Sequence, residues 1–250
     1  MIINNKMKKI KAIIFDIDGV LVDVSESYRV AIKKTAEFFL GKILSMDDVD
    51  AIKNKGINND WDAAEMLIQE GGGDFRKKVI IKKFQEHYLG REFDGLISKE
   101  KGLIKEDTLK KLKNYKLAIF TGRPKMEAKF ALKRLGIEKY FEYIVCMEDV
   151  KEEKPYPEGL LKILKKLNVS SDKTIYVGDN IADVRASKNA EVNFIGVVPP
   201  GADKAYTKDL LKSEGAKVVI DNVNDIVNEV WDDKKRKKNK RNWNNDQIRC

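Results

Sequence analysis

The run Ile10-Lys11-Ala12-Ile13-Ile14-Phe15 stops abruptly on Asp16-Ile17-Asp18-Gly19. Its β-branched, apolar residues read as a short strand buried on both faces. Two aspartates one residue apart then break it, and Gly19 lets the backbone turn sharply. At the carboxyl end of a strand in an open α/β sheet, such a loop lies where ligands bind. Two carboxylates at this spacing can serve one metal ion, or divide the labour of nucleophile and acid/base. Asp and Gly also simply favour turns. Three further polar clusters, each following its own apolar run, argue for a site rather than a turn.

After this strand, Ser25–Leu40 carries Tyr28, Ala31, Ile32, Thr35, Ala36 and Phe39 at helical spacing, with Gly41 as its stop. Met46–Lys53, Trp61–Gln69 and Phe75–Leu89 are further helices, and no strand is expected between Val24 and Ser98. Alternation begins afterwards. Helices are expected at Glu106–Lys113, from Pro124 to Leu135, and at Pro157–Leu167, Ile181–Lys188 and Val223–Trp231. Strands are expected at Leu117–Phe120, Tyr143–Met147, Thr174–Val177, Phe194–Val198 and Val218–Ile220. Alternating strands and helices argue for a parallel sheet covered on both faces. The expected fold is therefore α/β: a doubly wound, Rossmann-like parallel-sheet core with an inserted all-helical domain. Residues 1–23 and 99–231 form the core, 24–98 the insert, and 232–250 a basic tail too poor in apolar residues to fold alone.

Charge sharpens this division. The 250-residue chain has a formal charge of +9, yet Asp232–Cys250 holds eight Lys/Arg against three Asp. The body is only mildly basic, so a nucleic-acid partner would have to act through the tail, where Trp243 could stack. No binding motif accompanies it. Charged residues at 36% exceed the usual quarter, a composition found in heat-adapted proteins. Cys146 and Cys250 cannot staple a chain of this size, which favours a reducing, cytoplasmic setting. No apolar stretch approaches a membrane span, and Met1–Lys11 lacks the apolar segment of a signal peptide. The single histidine, His87, excludes a multi-His zinc site. It shares a helix with Phe84 and Tyr88 and reads as packing.

Four clusters fall at strand ends: Asp16/Asp18, Thr121-Gly122-Arg123, Lys154, and Asp179/Asp183. In a parallel sheet, strand ends of one kind share an edge, so these groups can converge. Asp16 and Asp179 can hold Mg²⁺ through oxygen ligands alone. Thr121 and the Gly122 N–H can donate to phosphate oxygens, while Lys154 neutralises charge. Phosphoryl transfer needs mainly positioning and charge stabilisation, so this inventory suffices. Arg123 can touch substrate or pair with Glu148 or Asp149 on the surface. Asp183 can support the metal from behind its ligands.

Phe15-Asp16-Ile17-Asp18-Gly19-Val20-Leu21, Thr121-Gly122-Arg123, Lys154-Pro155-Tyr156-Pro157 and Gly178-Asp179-Asn180-Ile181-Ala182-Asp183 resemble the four ordered motifs of the haloacid dehalogenase superfamily. The helical insert resembles the cap of its phosphoglycolate-phosphatase-like branch. The resemblance runs from about Lys9 to Trp231. It implies that Asp16 is the nucleophile, forming an aspartyl-phosphate, and that Asp18 is general acid and then base while offering its backbone carbonyl to Mg²⁺. Thr121 and Lys154 would hold the phosphoryl group, and Asp179 would ligate the metal. Relatives that cleave carbon–halogen bonds lack an acid at the second position, so Asp18 favours phosphate over halide.

In the insert, the patch Asn58-Asn59-Asp60-Trp61 is a candidate for substrate contact. Asn59 or Asp60 can equally cap the next helix, and Trp61 can be core. Arg29 and Lys55 are further anion ligands to consider. The expected activity is Mg²⁺-dependent hydrolysis of a small phosphorylated metabolite, with a phosphomutase of the same superfamily as alternative. A receiver-type signalling domain also gathers Asp, Thr and Lys at strand ends. There, however, the phosphorylated Asp follows the third strand and no cap is present.

Overall fold

The computed structural model describes residues 9–53, 55, 57 and 59–230; Asn58, Trp231 and the basic tail lie outside them. Strand β1 (Ala12–Phe15) is buried throughout, and the chain then leaves through β2 (Val22–Asp23). Helices α1 (Tyr28–Leu40), α2 (Met46–Lys53), α3 (Asp60–Glu70) and α4 (Lys77–Tyr88) follow, and β3 (Lys101–Gly102) returns antiparallel to β2. Beyond it come α5 (Glu106–Lys111), β4 (Lys116–Phe120), α6 (Lys125–Arg134), β5 (Tyr143–Val145), α7 (Glu158–Leu167) and β6 (Thr174–Gly178). The chain continues through α8 (Ile181–Asn189), β7 (Asn193–Val197), α9 (Lys204–Ser213) and β8 (Val218–Ile220). No described helix is long and apolar enough to cross a membrane.

The chain divides into two compact units. The first comprises the residues up to Leu21, Leu103–Ala128, and those from Gly136 onward; the second is Val22–Gly102 with Lys129–Leu135. The first unit holds a six-stranded parallel sheet in the order β5-β4-β1-β6-β7-β8. From β1 the chain builds outward to β4 and β5, then crosses back to β6 and builds the other way. The reversal falls between β1 and β6, where open α/β sheets bind ligands. Ala12 and Ile14 of β1 pack with Ala118, Phe120 and Tyr176 against Leu160, Ile163, Leu164 and Leu167 of α7. Phe15, on the alternate pleat, meets Phe141 edge-on at 6.2 Å.

The second unit has its own core. Ala31, Ile32 and Ala36 of α1 pack with Ala63, Ala64 and Leu67 of α3 and with Ile80 and Phe84 of α4. Tyr28 stacks on Tyr88 at 4.3 Å. Below them, the buried Glu100 carboxylate accepts hydrogen bonds from Ser27 Oγ (2.8 Å) and Tyr88 Oη (3.0 Å).

The structure trims several predicted boundaries for local reasons. Asp23 Oδ1 accepts from Ser25 N and Oγ, holding a turn that delays α1 until Tyr28. Asp149 Oδ2 accepts from Cys146 N at 3.0 Å, so β5 ends at Val145 and a 3₁₀ turn replaces its predicted end. Helix α9 is absent from the sequence expectation. Pro199-Pro200-Gly201 reads as loop, and among α9 residues only Thr207 and Leu211 are buried, a stripe too thin to show periodicity. Its cap is nevertheless written in the sequence: Asp203 accepts from Tyr206 N at 2.9 Å.

Gly159 of α7 tests how tightly the first unit is packed. A Cβ there would lie 2.1 Å from the buried Phe120 ring. Gly to Ala in a helix normally gains up to about 1 kcal/mol, but overpacking a core typically costs ~1–3 kcal/mol. The clash should win because Phe120 is fixed on a central strand. Gly159→Ala should lower the stability measured by urea denaturation, whereas helix propensity alone would raise it.

Candidate active site

The carboxyl ends of β1, β4 and β6 deliver the site. β1 pairs with both neighbours in register, Phe15 against Ile119 and Val177, so the loops that follow leave the sheet side by side. Asp16 N donates to Val177 O at 2.9 Å, which keeps the first aspartate on the sheet edge. Its Oδ1 accepts from Ile17 N at 2.7 Å, and its Oδ2 lies 2.9 Å from Lys154 Nζ.

Lys154 also reaches Asp183 Oδ1 at 2.8 Å, and its ammonium sits over the Phe120 ring at 5.4 Å. Burial alone would lower the lysine's pKa, but Asp16 and Asp183 outweigh it and hold the ammonium above its ordinary value. Burial pushes Asp16 well above the usual carboxylate range, with Lys154 pulling it back. Asp179 is driven up by burial and by repulsion from Asp183 and Asp16. One ammonium thus faces three carboxylates.

Asp183 is spent on orientation. Oδ1 also accepts from Tyr176 Oη at 2.7 Å, and Oδ2 accepts from the backbone N–H groups of Asp179 (3.1 Å) and Asn180 (3.3 Å). Asn180 returns a bond through Oδ1 to Asp183 N, closing a capping box at the start of α8. Gly178 allows this packing, since a Cβ there would lie 2.5 Å from the Asp183 side chain. Gly19, at φ +69°, plays the same part opposite Asp179, whose Oδ2 would be 2.1 Å from a Cβ.

Oxygens of Asp16, Asp179 and Asp183 lie within 4.8 Å of one another. An all-carboxylate set with excess negative charge suits a hard divalent cation and offers nothing to a thiophilic or imidazole-seeking metal.

Thr121 is buried after β4, and its Oγ1 accepts from Arg123 N at 3.1 Å. Gly122 is exposed with open space around it. Arg123 departs from one sequence expectation. It does not sit on the surface beside Glu148 or Asp149; its side chain is 1% exposed, and it donates through Nε (2.7 Å) and Nη2 to Asp18 Oδ1. Lys125 takes the surface role instead, with its N–H on Glu148 and its Nζ 2.7 Å from Asp149. The reason is topological: β1 and β4 are neighbours, so Arg123 meets the Asp18 loop before it meets solvent.

Asn59 and Trp61 belong to the second unit. Asn59 caps α3, its Oδ1 accepting from Trp61 N (2.9 Å) and Asp62 N (3.3 Å), and Trp61 packs against that unit's core. Arg29 pairs with Asp50 at 2.7 Å and Lys55 with Glu70 at 2.5 Å, both on the surface. Burial and the nearby Lys83 and Lys34 hold His87 below its ordinary pKa, as befits a packed side chain.

Sequence reasoning missed Tyr176. Its hydroxyl donates to Asp183 and lies 3.2 Å from Lys154 Nζ, tying the lysine loop to β6. The signal was available: a tyrosine in a fully buried strand needs a partner for its hydroxyl.

A family model described as haloacid dehalogenase-like hydrolase matches residues 13–197. This chain belongs to that family. A phosphorylated carbohydrates phosphatase of Thermotoga maritima is 35% identical over 193 residues, covering 75% of this chain and 85% of that protein. An imidazoleglycerol-phosphate dehydratase of Phytophthora nicotianae is 32% identical over 221 residues. That match takes in 84% of this chain but only 47% of the Phytophthora protein, so the chain spans about half its length. Among solved structures, a Thermotoga maritima protein provisionally assigned as a beta-phosphoglucomutase is 29% identical, with a TM-score of 0.69. It covers 88% of this chain, which in turn covers 98% of it.

The cap at Asn59 yields a direct test. Asn59→Ala should cost about 1 kcal/mol of stability by removing the acceptor for two helix N–H groups. Asn59→Asp, which can still accept both, should lose much less. Equal stability of all three proteins in denaturant titrations would contradict a capping role.

Proposed function

We propose that the protein is a Mg²⁺-dependent phosphomonoesterase acting on a small phosphorylated metabolite through an aspartyl-phosphate on Asp16. The observation that carries this reading is the buried Asp16 carboxylate, 3% exposed, with Lys154 Nζ at 2.9 Å and Asp179 and Asp183 beside it. Membership of a hydrolase family and the 35% identical carbohydrate-phosphate phosphatase support it. The two cysteines, one of them buried, fit a cytoplasmic setting.

Asp16, the Asp18 carbonyl and Asp179 would hold the cation, which when bound supplies charge neutralisation at the phosphoryl oxygens. Lys154, Thr121 and the Gly122 N–H hold those oxygens from the protein side. Asp16 attacks phosphorus as the ester P–O bond breaks, and Asp18 gives its proton to the leaving alkoxide. Asp18 then takes a proton from water, which attacks the phosphoenzyme. Inorganic phosphate leaves and the Asp16 carboxylate is restored. Asp183 and Tyr176 touch no substrate; they hold Lys154 and the Asp179 backbone.

A phosphomutase is the second reading, favoured by the 29% identical structure assigned as a beta-phosphoglucomutase. Release of free phosphate from sugar phosphates at the rate of substrate loss would exclude it. Interconversion without release would establish it.

The two aspartates separate by experiment. Asp16→Asn should be inert and should never become phosphorylated, because it has lost the attacking oxygen. Asp18→Asn should be slowed by roughly 10²–10⁴-fold, the usual worth of general acid–base help. Phosphoenzyme should build up in it, since the base for hydrolysis is gone. Mass spectrometry after quenching reads both results, and a phosphorylated Asp16→Asn protein would sink the assignment. Treatment with EDTA should abolish turnover, and added Mg²⁺ should restore it.

A further inference from the structure

We propose that Arg123 is a positioning residue for Asp18, holding the acid/base carboxylate by one oxygen and making no contact with the substrate. The inference rests on the phosphatase reading above and goes beyond it in giving Arg123 a task.

The geometry is specific. Arg123 uses two donors, Nε at 2.7 Å and Nη2, on the same atom, Asp18 Oδ1. Among the described residues, every hydrogen bond to the Asp18 side chain falls on Oδ1, so Oδ2 is the oxygen left for proton transfer. The exposures agree with that division: the Asp18 side chain is 32% exposed and the Arg123 side chain 1%. What sets Arg123 apart from the equally buried Thr121 is that two of its donors are already committed to Asp18 Oδ1.

The anchor is itself anchored. Arg123 N donates to Thr121 Oγ1 at 3.1 Å, so the segment that presents Thr121 also fixes the root of the arginine. A planar guanidinium that donates through two nitrogens sets the direction of the carboxylate as well as its distance. Such alignment counts in catalysis, because a displacement of about 1 Å can cost on the order of 10²-fold in rate. Asp18 sits just before Gly19, where the backbone turns, and has no other side-chain partner among the described residues to hold it.

The test uses the full chain and two aryl esters, phenyl phosphate and 4-nitrophenyl phosphate. The phenolate of the first needs a proton to leave, whereas 4-nitrophenolate leaves with little help. With kcat/KM as readout, which reports transfer to Asp16, Arg123→Met should lose ~10–100-fold on phenyl phosphate and under ~3-fold on 4-nitrophenyl phosphate. Inhibition by inorganic phosphate should be unchanged. Arg123→Lys should recover part of the phenyl phosphate rate. In an Asp18→Asn background, Arg123→Met should add less than about twofold.

Equal losses on both esters together with weaker phosphate inhibition would make Arg123 a substrate ligand and overturn the proposal. Full activity on both esters would reduce it to packing and overturn it too. If Arg123→Met is too unstable to assay, Arg123→Lys decides by the same ratio of the two esters. Wild-type turnover with an unchanged ester ratio in the variants would sink the role of Arg123 and leave the phosphatase reading standing. No wild-type turnover of either ester would sink both.

Discussion

The ammonium of Lys154, set between Asp16 Oδ2 at 2.9 Å and Asp183 Oδ1 at 2.8 Å, is the contact on which the site depends. A buried charge costs several kcal/mol unless it is paired and hydrogen-bonded. Here a single cation joins segments from three loops: the ends of β1 and β6 and the stretch before α7. Removing it would leave neighbouring carboxylates to repel one another in a poorly solvated place. The remaining polar atoms of the cluster complete this pairing. Tyr176 shares Asp183 Oδ1 with the lysine, and the backbone at Asp179 and Asn180 occupies Oδ2.

That arrangement is unbalanced by design of charge, and the imbalance is chemically useful. Burial first, and then repulsion among carboxylates that the one ammonium only partly offsets, holds Asp179 and Asp16 above their ordinary pKa values in the protein alone. The same excess makes the cluster attractive to a divalent cation, whose binding would relieve the repulsion. Binding energy would thus be drawn from strain that the fold has already accepted. Two glycines make the crowding possible, because a side chain at Gly19 or Gly178 would occupy space now held by Asp179 or Asp183.

How much of this was legible in the sequence follows from the range of each interaction. Apolar runs and their stops placed the six sheet strands, since burial on both faces leaves a continuous apolar signature. The four clusters were visible because a parallel sheet must put its carboxyl ends on one edge. Helix α9 was hidden, since only two of its residues face the core and a Pro-Pro-Gly segment precedes it. The partner of Arg123 was hidden for another reason. Choosing between Asp18, Glu148 and Asp149 requires the strand order, and strand order is set by packing over a hundred residues of separation. Tyr176 was overlooked because its ring looks like core, and only its hydroxyl belongs to the site.

The position of the insertion completes the physical picture. The chain leaves the first unit at Leu21 and re-enters at Leu103, and Leu103 N donates to Leu21 O at 2.8 Å. The exit and return points are hydrogen-bonded neighbours, so the first unit closes the same short gap whatever is inserted, and loop-closure entropy grows only slowly with added length. The second unit has its own core of α1, α3 and α4 and does not borrow burial from the sheet for its helices. The polar residues of the site, from Asp16 and Asp18 through Thr121, Arg123, Lys154 and Tyr176 to Asp179 and Asp183, all come from the first unit. The side chains of the inserted unit can therefore change without disturbing the Lys154 pairing or the Arg123–Asp18 contact. The strand ends that present the carboxylate cluster are fixed by sheet pairing, and the helices of the inserted unit are fixed by a different core, so the two parts of the chain answer to separate packing constraints.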